Sequence, residues 1–119
     1  MIYEVSAVLI TENAIEFRRI LKDGTLRQEN PDGREICESM MRARFQDSGR
    51  VHWTQTSFSA EPLKYEIESV YQYYFEDIQL SAVDGHISFH GPMFMDHLLV
   101  LELQELGQLP RFDEGEPRP

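Results

Sequence analysis

One cysteine, Cys37, stands in 119 residues. A lone thiol forms no disulfide within its own chain, so the fold does not depend on an oxidising compartment. No G-x-G-x-x-G, Walker loop, H-E-x-x-H, C-x-x-C or G-x-S-x-G occurs, which argues against familiar nucleotide-binding and hydrolase machinery. No apolar run approaches the roughly 18–20 residues that cross a bilayer. The first eleven residues carry Glu4 and no basic residue ahead of their apolar stretch, so they read as a strand and not as a signal peptide. These absences together give the expectation of a cytoplasmic protein with no membrane segment.

Positive charge is scarce, and unevenly so. The net charge is −10. Residues 1–50 hold eight Lys/Arg against nine Asp/Glu, and residues 51–119 hold three against twelve. A nucleic-acid binder needs cations to neutralise phosphates, which argues against nucleic acid as the partner. An acidic half suits either solubility alone or docking on a basic protein.

What is present is a packed globule. Apolar residues make up 41% and aromatics 11%, more than an unfolded regulator carries. The length matches one domain, and we read residues 1–106 as a single α+β domain and 107–119 as a Pro/Gly/acidic tail. Residues 2–10 alternate Tyr3, Val5, Ala7 and Leu9 on one face and predict a central strand. Thr11 starts a helix over about 12–22, with Ala14, Phe17 and Leu21 on one stripe. Asn30-Pro31-Asp32-Gly33 is the strongest turn signal. The spacing of Ile36, Cys37, Met40, Met41 and Phe45 predicts a helix over about 33–46. Residues 50–59 predict a strand.

Residues 63–78 fit two patterns. Leu63, Tyr65, Ile67, Tyr71, Tyr73 and Phe75 alternate as on a strand, while Leu63, Ile67, Val70, Tyr71, Tyr74 and Ile78 form a helical stripe. Length and Pro62 favour the helix. Residues 86–90 predict a strand after the Asp84-Gly85 turn. In 96–103 the alternation of Leu99, Leu101 and Leu103 favours a strand, with an amphipathic helix as the alternative. The whole predicts an α+β fold: a small sheet with two or three helices packed on one face, on a ferredoxin-like or split βαβ plan with one extra helix.

Two groups of residues carry possible chemistry. His86, His90 and His97 lie within twelve residues, and imidazole serves as acid, base or metal ligand. On a straight strand residues 86 and 90 stand about 13 Å apart, too far for one metal, so no metal or cofactor is assigned. Tyr71, Tyr73 and Tyr74, with Trp53, are interface or pocket residues by type. Adjacent aromatics cannot all face one way, so at least one is expected to be exposed or at an interface. Arg18-Arg19 and Arg42-x-Arg44 would form an anion site if their helices packed side by side. The expected function is a non-enzymatic protein-interaction or regulatory module that binds a basic protein partner or itself as a homodimer. The alternative is a small-molecule-binding or metal-dependent enzyme with a His/aromatic pocket.

Overall fold

The computed structural model describes residues 1–28 and 32–108. The turn at Asn30-Pro31 and most of the predicted tail lie outside them. The elements run β1 (Ile2–Leu9), a three-ten turn (Thr11–Asn13), α1 (Ala14–Lys22), α2 (Asp32–Arg42), β2 (Arg44–Phe45) and β3 (Arg50–Thr56). They continue with α3 (Lys64–Glu66), a π turn (Ile67–Tyr71), α4 (Gln72–Tyr74), β4 (Phe75–Val83) and α5 (Phe94–Glu105).

The four strands form one antiparallel sheet in the order β2-β3-β1-β4. This is the ferredoxin-like strand order: each strand–helix–strand unit leaves room for a strand of the other between its two arms. β1 is central because it pairs on both sides, Val5 opposite Trp53 on β3 and opposite Leu80 on β4. Its alternation sends Val5, Ala7 and Leu9 into the core. The helices cover that face. Phe17 of α1, Phe75 of β4 and Phe94 of α5 meet there at 5.7–6.2 Å between ring centres. Trp53 joins Phe75 at 5.1 Å. Such pairs add about 0.5–1.5 kcal/mol each beyond their buried area.

Four sequence expectations change. The helix predicted to 46 ends at Arg42, because Arg44 and Phe45 pair with His52 and Val51 as an edge strand. The segment 63–78 is helical only to Tyr74 and is a strand from Phe75. The switch is anchored by the helix end itself: Asn13 Nδ2 donates to Tyr73 O at 2.9 Å, and Ile10 N donates to Tyr74 O at 2.8 Å. Those bonds satisfy carbonyls that a helix end leaves open. Residues 86–90 form no strand. They cross the sheet face away from the helices, where the hydrogen-bond partners are the side chains of Thr54 and Gln46 and not a strand edge. The segment 94–105 is the helix α5, which packs on α1 and is tied to it by the Arg18–Glu102 ion pair at 2.7 Å.

Two local devices hold the edges. At β4 the register shifts opposite Ala7, and Asp77 adopts a left-handed φ of 50°. Arg50 fills that bulge, donating to Ser6 Oγ at 2.6 Å, Asp77 O at 2.7 Å and Asp77 Oδ2 at 2.8 Å. At β2, Gly91 brings the crossing segment down onto Phe45 with φ +110°, and a Cβ there would sit 2.5 Å from Phe45 O. Only glycine fits both constraints.

Candidate functional site

The aromatic residues singled out by sequence separate into core and surface. Trp53, Tyr71 and Tyr74 are buried, while Tyr73 is 56% exposed. Trp53 Nε1 donates to Gln55 Oε1 at 2.9 Å, and the Tyr71 hydroxyl donates to the same oxygen. Their polar tips are therefore spent inside the molecule. Burial and the adjacent Glu66 charge push the Tyr71 hydroxyl pKa well above its ordinary value. Tyr74 stacks on Phe17 at 4.4 Å. Tyr73 faces out because it is two residues past Tyr71 on a helical segment, off the stripe that Val70, Tyr71 and Tyr74 share.

Tyr73 is bound through its carbonyl to Asn13, and so to the three-ten turn that begins an acidic groove. Thr11, Glu12 and Ile15 form one wall; Leu101, Gln104 and Glu105 of α5 form the other. The groove holds about 340 Å³. Among the described residues its walls carry two carboxylates and no Lys or Arg, with Ile15 and Leu101 giving apolar surface. One turn along α1, Glu16 approaches the Tyr74 hydroxyl; burial first, and then this carboxylate, raise the tyrosine's pKa. The nearby cation Arg18 is paired with Glu102 and Arg19 with Asp23. The groove was not legible in sequence, since its walls are some ninety residues apart and meet only because α5 is a helix.

The three clustered histidines are held apart. The His86 Nδ1 lies 2.8 Å from Thr54 Oγ1. His90 lines a shallow pocket with Gln46, Asp47 and Ser48. His97 stacks on Phe45 at 4.0 Å on the α5 side. Burial lowers the pKa of His86 and His97, and Arg42 lowers His86 further. Among the described residues no group of three or more His, Cys, Asp or Glu is placed to hold a metal ion. The two arginine pairs also stay apart: Arg18 and Arg19 are on α1, while Arg42 and Arg44 flank the segment that crosses the sheet.

One buried cluster carried no sequence signal. Glu66 is fully buried, and neither carboxylate oxygen has a hydrogen-bond partner among the described residues. Burial raises its pKa, and the charges of Asp32 and Glu35 raise it further. Gln55 Nε2 is likewise buried without a partner among the described residues. The π turn follows directly after Glu66, and such turns are frequent at functional sites. No described helix is long and apolar enough to cross a membrane. Compared with known proteins, the chain matches no family model, no curated protein and no solved structure.

Proposed function

We propose that the protein is a non-enzymatic interaction module, and that it grips a basic protein segment with the acidic groove between the three-ten turn and α5. The observation that carries this reading is the pairing of that groove with an exposed tyrosine: Glu12 lines it, Glu16 stands one turn along α1, and Tyr73 is tied to the same turn through Asn13. A lysine or arginine side chain presents an apolar stem and a charged head. The stem suits Ile15 and Leu101, and the head suits the carboxylates. Tyrosine supplies contact area at low entropic cost beside such a charge pair. The same carboxylates repel a phosphate backbone, so the partner is a protein.

The test uses the protein as bait in an extract of its host, compared with the Glu12→Gln/Glu16→Gln double variant and with Tyr73→Ser. A basic protein is retained by the wild type and released as salt rises. Purified, it binds each variant about tenfold more weakly, equivalent to about 1.4 kcal/mol. Equal binding to all three baits, or retention that ignores salt, sinks the reading.

A further inference from the structure

At the β2–β3 edge of the sheet lies a pocket of the other sign. It holds about 260 Å³ between the end of α2, β2 and the crossing segment. Arg42, Arg44, His86 and Ser88 supply its polar lining, and among the described residues no carboxylate lines it. In a chain of net charge −10, two guanidinium groups and an imidazole line one pocket.

The donors are built in by bonds that leave part of each group open. Arg42 uses only Nη2, donating to Thr54 O at 3.0 Å and to Ser39 Oγ at 3.3 Å, with Glu35 3.9 Å away. Among the described residues its Nε and Nη1 donate to nothing. Among the described residues Arg44 donates through Nη1 alone, toward Gly91 O at 3.2 Å. His86 is fixed through Nδ1 to Thr54, so its Nε2 is the nitrogen left over. Thr54 is itself buried on a central pair of strands, which makes the anchor rigid. Met41, Ile87 and Phe89 supply an apolar wall beside these donors.

We propose that this pocket binds the phosphoryl group of a small organic phosphate. Planar guanidinium forks recognise oxyanions by paired charge-assisted hydrogen bonds. Here the forks come from a helix end and an edge strand, and the imidazole and hydroxyl come from a third segment. Donors converging from three separate segments suit the three terminal oxygens of a phosphate better than the two coplanar oxygens of a carboxylate. The apolar wall receives the organic part of the ligand.

The experiment is a titration of the full chain with inorganic phosphate, phenyl phosphate and benzoate. It is followed by the Ile87 methyl and His86 ring signals in NMR and by calorimetry. Both phosphates give saturable shifts at Ile87 and His86, and phenyl phosphate binds more tightly than inorganic phosphate. Arg44→Gln weakens binding about tenfold, as expected for losing one charged fork. Arg42→Gln does the same if it folds; because Arg42 also anchors Thr54, Arg44→Gln is the deciding variant. Arg19→Gln, which alters an arginine elsewhere on the surface, leaves binding unchanged. Absence of a saturable shift, equal binding by Arg44→Gln, equal loss in Arg19→Gln, or benzoate binding as tightly as phenyl phosphate would each overturn the proposal.

Discussion

Replacing Glu66 with methionine raises the stability of the fold, and the gain widens with pH. Glu66 is fully buried, and among the described residues neither carboxylate oxygen has a hydrogen-bond partner. A buried polar atom left unpaired costs about 1–3 kcal/mol. An ionised buried carboxylate costs more, so the group holds its proton instead. The direction of the pH effect follows from that. Burial, then Asp32 and Glu35, raise the folded-state pKa. Above about pH 4.3 the unfolded chain releases this proton while the folded one keeps it. Wild-type stability therefore falls as pH rises from the ordinary carboxylate range up to the folded pKa, and the penalty is constant beyond it. Glu35, also raised by burial, acts the same way. His52, His86 and His97, lowered by burial, act oppositely, losing stability as pH falls through the ordinary histidine range. All four are present in both proteins, so their effects cancel to first order in the difference. Methionine is similar in size, apolar and adaptable. The expected gain is about 1–3 kcal/mol near pH 5 and larger at pH 8. At roughly 3–5 °C per kcal/mol for this length, that is a rise of several degrees or more in melting temperature. Thermal melts of both proteins across pH 5–8 provide the check. A less stable variant, or a difference that does not move with pH, would refute the reasoning.

Three further outcomes follow from the edges and the core. Gly91→Ala places a methyl 2.5 Å from Phe45 O at a φ of +110°, so it costs about 2 kcal/mol or more in urea unfolding; a neutral result would contradict the described turn. Arg50→Ala removes the donors to Ser6 and to the Asp77 carbonyl and costs about 1–3 kcal/mol. Amide exchange reads the effect as faster opening of β4, and unchanged exchange there would count against the clamp. Cys37 is buried and its thiol pKa is raised, chiefly by that burial. A thiol reagent therefore modifies it only as the protein unfolds, and rapid labelling of the native protein would be inconsistent with this placement.

The parts of the fold that sequence reveals are those where one periodicity excludes the other. Val5, Ala7 and Leu9 alternate cleanly and lie in the core as β1. Phe17 lies on the stripe that α1 buries. Residues 63–78 satisfied both periodicities because the chain uses both, and only the bonds from Ile10 and Asn13 fix the change after Tyr74. Leu98, Leu99, Val100 and Leu101 are apolar on every side, so their order cannot separate strand from helix. The site was less legible than the fold. Trp53 and Tyr71 are interface residues by type, yet both donate to Gln55 in the interior. His86 and His97 are eleven positions apart in the sequence but bind different strands. The groove and the arginine pocket both depend on elements that meet only in the tertiary structure.

The crossing of the outer sheet face by residues 84–93 also sets an order of events in folding. Its contacts need Thr54 on β3 and Phe45 on β2, while its start is fixed by the end of β4. It can seat only after strands from both edges have paired, so it carries little of the transition state's structure. A truncation such as Ile87→Ala then speeds unfolding and leaves the folding rate nearly unchanged, as stopped-flow kinetics would read. The last piece to arrive is also the piece that closes the arginine pocket, so that site exists only in the finished molecule.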